Sequence, residues 1–411
     1  MTRRILLATT VKWPSAAYLA GAFASFGCSV EAVFPRGHVL GVSRHVGRAY
    51  TYRPLCPQSS FAAAIAAAQP DLIVPCDDRA VSHLLSIQAH APDVTALLVR
   101  SMGRMESYPF MMARSRAIAI AQAEGISTPL TVAVTNESEF WRALGRVGLP
   151  AVLKADGSWG GDGVAVVRTR EEAGRAFRKL AFPPSRLRCL VRTVLRNDAH
   201  FLQEALAPKT PTIQLQQFIK GKPATSAFAC RDGEVLAAIH VDVAESRGMT
   251  GPASLIKRID CNRMDEAARR IARRFWLSGL HGLDFIRDEG GVPHFIEINP
   301  RATQICHLAL GAGHDLPSAL LGQPPRPIAT DQPLIALFPQ AWQSGRPVPD
   351  SQAAYLDVPW DDPAVLAAAL GPGFAPPKPQ PQQRALAPAD PLQFLTDGLP
   401  GNGARARRLQ L

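Results

Sequence analysis

Leu153-Lys154-Ala155-Asp156-Gly157-Ser158-Trp159-Gly160-Gly161-Asp162-Gly163-Val164 is the stretch on which the reading of this chain turns. Ala151 to Ala155 is an apolar run carrying one lysine, and Val164 to Val167 is a second β-rich run. Between them stand four glycines in seven residues, at 157, 160, 161 and 163. Strand, glycine-rich loop and strand make a hairpin that can fold over phosphates. Glycine allows positive φ and lets backbone N–H groups come close to oxygens. No Gly-Lys-Ser/Thr opens a helix here, so this is not a Walker loop. Taken alone, the stretch is either a phosphate lid or an ordinary hairpin turn. Lys154 taken alone is an edge-strand lysine that reaches solvent.

A second hairpin lies far downstream. Gly282-Leu283-Asp284-Phe285-Ile286-Arg287 reads as a strand with an inward carboxylate, and Gly290-Gly291 turns the chain. His294-Phe295-Ile296-Glu297-Ile298-Asn299-Pro300-Arg301 returns as a strand ending on polar groups. Alternation along a strand puts Glu297 and Asn299 on one face, and the hairpin can set Asp284 opposite them. Carboxylate and amide oxygens suit Mg²⁺, which keeps waters and also binds substrate phosphates. Arg301 can then hold a transferring phosphoryl group. Two carboxylates buried together are costly without a cation. The alternative for this stretch is a solvated edge hairpin.

Outward from these motifs, the first hundred residues alternate strands and helices. Ile5 to Thr10 and Ser29 to Phe34 read as strands, as does Asp71 to Pro75, with helices at Ser15 to Phe26 and Phe61 to Gln69. This pattern predicts a doubly wound parallel sheet. Asp77 and Asp78 fall just past the third strand, where ligands of open α/β sheets bind. No Gly-x-Gly-x-x-Gly follows the first strand, which argues against a dinucleotide site there. A helix from Met111 to Ala123 ends at Gly125, and a strand (Leu130 to Val134) and a helix (Glu137 to Gly145) follow. The helix Met264 to Leu277 has an apolar face and an arginine face, the pattern of core packing with a solvated side. After Gly322 a strand is expected at Leu334 to Phe338 and a short helix at Ala364 to Leu370. Prolines then dominate from Gly371 to Pro391, where extended or disordered backbone is expected. Arg405-Ala406-Arg407-Arg408 reads as a solvated basic tail.

The chain has 411 residues, 47% of them hydrophobic and 19% charged, enough apolar material for two or three cored domains. No run approaches the ~20 apolar residues of a membrane helix. The +11 formal charge comes from 45 Lys and Arg against 34 Asp and Glu, spread along the chain without an aromatic-studded basic face. No nucleic-acid partner is therefore expected. The seven cysteines are scattered, with no zinc spacing, which fits buried thiols in a reducing cytoplasm. Arg3-Arg4 precedes an apolar run, but Lys12, Trp13 and Pro14 interrupt it too early for a signal segment, so a first strand is expected.

Together the motifs resemble the ATP-grasp family of ligases, the group that includes D-alanine ligase, biotin carboxylase and carbamoyl phosphate synthetase. The lysine strand with its glycine loop, then Gln216-Gln217-Phe218-Ile219-Lys220-Gly221, then Asp284 with Glu297-Ile298-Asn299-Pro300-Arg301, occur in the family's order. The resemblance covers about Met111 to Gly322. It implies an α/β chain, α+β in its ATP-grasp part. The N-terminal doubly wound domain would span 1–110. The ATP-grasp fold would span 111–322, divided into 111–215 with the lid and 216–322 with the hinge and metal hairpin. A Pro-rich C-terminal extension would span 323–411.

The resemblance also implies roles. Lys154 would contact phosphates, with Gly157, Ser158, Gly160, Gly161 and Gly163 closing over the triphosphate. Gln216, Gln217, Phe218 and Ile219 would hold adenine. Asp284, Glu297 and Asn299 would bind Mg²⁺, and Arg301 would act with Lys154 on the transferred phosphoryl group. Arg114 stands where many members carry a lysine, Gln216 and Gln217 stand where many have glutamate, and Pro223 falls near the place of a ribose-binding glutamate. The implied reaction joins a small carboxylate to an amine through an acyl phosphate, with ATP and Mg²⁺ as cofactors. Alternatives are a non-catalytic nucleotide-binding module, or an ATP-grasp kinase or carboxylating enzyme. Lys257 or Arg258, in the Thr250–Arg258 segment, is expected either to bind a substrate carboxylate or to lie on a solvated strand pair. His281 and His307 read as structural. A cytoplasmic protein without membrane partners is expected, and the resemblance allows a homodimer.

Overall fold

The computed structural model describes residues 2–88, 92–155, 163–181, 212–246, 248, 251–344, 346, 348 and 353–371. In the N-terminal part, β1 (Arg4–Ala8), α1 (Ser15–Ala24), β2 (Ser29–Phe34), β3 (Arg48–Thr51), α2 (Pro57–Ala68), β4 (Leu72–Pro75), α3 (Asp78–Gln88) and α4 (Pro92–Met102) follow in order. The four strands form one parallel sheet in the order β3-β2-β1-β4. Ile5, Leu6, Leu7 and Ala8 are buried, because helices cover both faces of the sheet. The chain runs outward from β1 to β3, then crosses to the far side of β1 to lay down β4. The C-terminal ends of β1 and β4 therefore flank the topological switch point.

Next come α5 (Tyr108–Met112) and α6 (Arg114–Ala123). The expected continuous helix from Met111 is broken here, because Ala113 adopts extended backbone at φ −89°, ψ 98° and restarts the helix at Arg114. A four-stranded antiparallel sheet, ordered β5-β8-β6-β7, follows. It comprises β5 (Thr131–Val134), β6 (Ala151–Ala155), β7 (Val164–Val167) and β8 (Ile213–Gln217), backed by α7 (Glu137–Val147) and α8 (Arg170–Ala181). Leu153, Leu215, Ile213 and Val167 bury one face against Phe140, Leu144 and Phe177 of those helices.

The largest sheet has seven strands in the order β13-β12-β9-β10-β11-β14-β15. These are β9 (Gly221–Arg231), β10 (Glu234–Ser246), β11 (Ala253–Arg258), β12 (Gly279–Asp288), β13 (Pro293–Asn299), β14 (Leu334–Leu337) and β15 (Tyr355–Asp357). Three helices accompany it: α9 (Asn262–Phe275), α10 (Leu316–Leu321) and α11 (Pro363–Leu370). One sheet face carries Phe228, Leu283 and Phe285 against the Met264, Ala268 and Ile271 side of α9. The other carries Ala227, Ile239 and Val241 with Leu316 and Leu320 of α10 and with Leu19 and Phe23 of α1. Strands β14 and β15 come from the stretch after Gly322, and they extend the sheet next to β11. The Thr250–Arg258 segment is strand for most of its described length, as one of the two readings of the sequence had it. Residues 372–391 and the basic tail lie outside the described residues.

Candidate active site

Lys154 sits on β6 opposite Gln214 of β8, and Val152 opposite Gln216, which in turn faces Thr131 of β5. Paired residues on antiparallel strands share a face. Lys154, Gln214, Gln216 and Thr131 thus line one polar face, while Leu153 and Leu215 point into the apolar core behind it. The Gln216 amide donates to Thr131 Oγ1 at 3.0 Å. Gln217, one residue on, is exposed on the opposite face, its Oε1 accepting from the Leu130 N–H at 3.4 Å. Phe218 and Ile219 lie just past the end of β8. Gln214 was not expected from the sequence; it is fully buried on the Lys154 face. Its signal was the period-two spacing of Gln214 and Gln216 in a strand whose intervening residue is leucine. Gly157, Ser158, Gly160 and Gly161 lie outside the described residues, but Gly163 closes the base of the hairpin by accepting from the Ala155 N–H at 2.9 Å.

The acidic hairpin forms as expected. Asp284 of β12 is directly opposite Glu297 of β13, and Gly282 is opposite Asn299. Thr225 Oγ1 donates to Asp284 Oδ1 and Asn299 Nδ2 to Asp284 Oδ2, both at 2.9 Å. Burial pushes the Asp284 carboxyl above its usual range, and the neighbouring Glu297 adds to the effect. Thr225, the β9 hydroxyl that bonds Asp284, was also not legible in the sequence.

Arg114 joins the two sheets. Its Nη1 donates to the Ala155 carbonyl of β6 at 3.1 Å, and its Nε and Nη2 reach Glu297 Oε1 of β13 at 3.0 and 2.8 Å. The break at Ala113 turns this first residue of α6 into the cleft. Lys154 feels the same charges. Burial lowers its ammonium to about 8, Glu297 and Asp284 oppose that shift, and Arg114 adds to it. Motifs far apart in the chain therefore converge on one cleft between the sheets.

Arg301 follows β13 on a loop that leans on the N-terminal sheet. Its Nε lies 3.2 Å from Asp78 Oδ2, and its guanidinium is 5.9 Å from the centre of the Trp13 ring. Its Nη2 donates to Asn299 Oδ1 at 3.2 Å. Burial would lower the guanidinium pKa, but the Asp78, Asp77 and Asp284 carboxylates together outweigh that, Asp78 contributing most, and the net shift is upward. The two acids after β4 are divided in role. Asp77 is buried and consumed in structure, accepting from Thr9 Oγ1 at 2.9 Å, Thr10 Oγ1 at 2.7 Å and the Ala80 N–H at 2.9 Å. Asp78 faces Arg301.

The oxygen set fits a hard divalent cation. Asp284, Glu297 and Asn299 offer two carboxylates and an amide, with the two carboxylates paired across the hairpin. Among the described residues no group of three acidic, His or Cys side chains could cage a metal unaided. Mg²⁺, which leaves positions for water and phosphate oxygens, suits such an incomplete set.

Of the outlying candidates, Lys257 is exposed on β11, and paired with Asp242 of β10 it lies on the sheet face away from Asp284. Arg258 is on the Asp284 face three strands away. His281 is buried and held down to about 4 by that burial, against Phe228, which is structural. His307 is paired with Asp357 of β15 at 2.9 Å. Among the described residues no helix is long and apolar enough to cross a membrane.

Comparison with known proteins agrees with this geometry. Residues 119–304 match the model of the ATP-grasp domain. The D-alanine--D-alanine ligase of Nitrosomonas eutropha is 27% identical over 200 residues, covering 46% of this chain and 56% of that ligase. The chain thus spans little more than half the length of the curated relative it matches. Biotin carboxylase from Campylobacter jejuni, solved as its β-γ-ATP complex, has a similar fold at TM-score 0.59 and 14% identity, over 87% of this chain and 74% of that one. N5-carboxyaminoimidazole ribonucleotide synthetase from Thermus thermophilus gives TM-score 0.56 and 18% identity, over 78% and 79% of the two chains.

Proposed function

The chain carries an ATP-grasp domain over residues 119–304, and from that premise we propose that it is an ATP-dependent ligase joining a small carboxylate to an amine. ATP would lie between the four-stranded and seven-stranded sheets, with adenine at the 216–219 segment. Lys154 and Arg114 would hold its phosphates, under the 157–163 loop. Asp284, Glu297 and Asn299 would hold Mg²⁺, which supplies charge neutralisation at the phosphates when bound. The convergence of Lys154, Arg114, Asp284 and Glu297 in one cleft carries this reading.

Such a site suits phosphoryl transfer, which needs positioning and electrostatics more than covalent chemistry from the protein. A carboxylate is a poor electrophile. Its oxygen attacks the γ-phosphorus, the bond to the ADP oxygen breaks, and an acyl phosphate forms. An amine then displaces phosphate. Arg301, one face against Trp13, would hold the phosphoryl oxygens as charge moves through them. Arg114 is paired with Glu297, so its guanidinium would turn from that carboxylate to hold phosphate oxygens.

The test is ADP release with MgATP across a panel of carboxylates and amines. The account expects ligated product with ADP and phosphate in equal amounts, and loss of turnover by at least about a hundredfold in Glu297→Ala, the scale of lost preorganised stabilisation. Full turnover in Glu297→Ala would remove the metal assignment. A phosphorylated product without ligation would favour a kinase, and tight nucleotide binding with no ADP release would favour a binding module.

A further inference from the structure

The Arg301 loop is anchored to the N-terminal sheet as well as to its own. The Ala302 N–H donates to the Pro75 carbonyl at the end of β4 at 2.9 Å. Cys76 and Cys306, on the two sides of this junction, each feel the Arg301 charge. Thr303 packs so closely over Gly282 that a Cβ there would overlap its methyl group. At the tip of the loop the guanidinium meets two N-terminal side chains. Asp78, the first residue of α3, faces its Nε at 3.2 Å, and the Trp13 ring lies against it at 5.9 Å. Its other contacts among the described residues are to neutral oxygens of its own loop and strand, 3.2 Å to Asn299 Oδ1 and 3.3 Å to the Ala302 carbonyl. An arginine held this way is aimed by charge but keeps N–H groups for an anion.

We propose that Asp78 is a positioning residue for Arg301: from the β4–α3 junction of the N-terminal sheet, it orients the guanidinium toward the γ-phosphoryl position of a bound nucleotide. The inference rests on the proposed nucleotide site and adds to it a contribution from outside the ATP-grasp domain. Among the described residues Asp78 has its ion pair with Arg301, and it acts through that guanidinium. Its neighbour Asp77 receives the Thr9, Thr10 and Ala80 donors, so the two acids are separable. Asp78→Asn keeps the size of the side chain and leaves the Asp77 latch in place.

The readout is the preference for a γ-phosphate, taken as the ratio of Kd for MgADP to Kd for the non-hydrolysable triphosphate MgAMP-PNP, by calorimetry on the full chain. Wild type should prefer the triphosphate. Asp78→Asn should lower that preference by about tenfold, the scale of one charge-assisted contact, while MgADP affinity and thermal midpoint change little. Asp78→Glu should restore part of it. In an Arg301→Ala background, Asp78→Asn should have no further effect, since the contact it supports is gone. An unchanged ratio in Asp78→Asn would overturn the inference. An equal loss in the Arg301→Ala background would also overturn it, because Asp78 would then act by another route. Arg301→Ala with wild-type preference would remove Arg301 from the phosphoryl site. Failure of folded wild type to bind MgADP at all would instead overturn the nucleotide reading on which both depend.

Discussion

Lys154 sits where burial and charge oppose each other, and that makes its protonation a handle on the site. With its ammonium lowered from 10.5 to about 8, the free protein carries the charge below about pH 8 and loses it above. If Lys154 holds phosphates, MgATP affinity falls as pH rises through this window, by up to about tenfold per unit, and binding takes up a proton. Calorimetry at pH 7 and 9 should show this loss in wild type and a nearly flat, weaker affinity in Lys154→Ala. A wild-type affinity independent of pH would place the ammonium away from the phosphates. The stability sign follows from the lowered value: between about 8 and 10.5 the unfolded chain keeps the proton that the folded chain has lost, so this group favours folding more as pH rises. The acidic pair and Lys154 were legible in the sequence because each sits in a strand whose alternation fixes its face. Gln217 was expected among the adenine contacts, but its side chain lies on the face away from Lys154, since β8 continues through it. Gln214, Thr225 and the Asp78 partner of Arg301 needed strand pairing or tertiary contact, neither of which local pattern supplies.

At the level of elements, the two motif hairpins, three of the four parallel strands and the arginine-faced helix were marked by periodicity and glycine. Local pattern missed β3, a four-residue edge strand, the helices α3, α4, α8 and α10, and the strands β9, β10 and β15. It also missed the break at Ala113, which swings Arg114 onto Glu297. The Thr250–Arg258 segment became strand because β10 and β14 pair with it on either side. Gly221 was noticed as the end of the hinge motif; the structure gives its reason. It pairs with Asp288 at the first rung of β9 on β12, where an added Cβ would overlap the Arg287 carbonyl. Its backbone is not in the left-handed region, so the constraint is the close approach alone. Gly221→Ala should therefore destabilise the fold by about 1–3 kcal/mol, the usual cost of overpacking, measured by urea unfolding. A wild-type midpoint would show that the β9–β12 rung yields freely.

Across the whole molecule, three sheets are tied together by polar contacts over a large apolar interior. Arg114 links the four-stranded antiparallel and seven-stranded sheets, and Asp78 links the parallel sheet to the Arg301 loop. Asp362 ahead of α11 accepts from Ser43 Oγ at 2.6 Å, tying the last described helix to the N-terminal part. The order of the motifs along the chain announced the fold class; the addition of β14 and β15 to the large sheet was not announced, because it depends on pairing between strands distant in sequence. The cleft exists only in this assembled state, so the direct test of the account is whether it holds nucleotide. The measurement is calorimetric titration of folded wild type and Lys154→Ala with ATP, each with Mg²⁺ and with the metal chelated. The account predicts wild-type binding that strengthens with Mg²⁺ and falls by at least about tenfold in Lys154→Ala, the scale of a lost charge-assisted contact. Wild-type protein that is folded and binds no ATP, or binds it equally with and without Lys154, would contradict it.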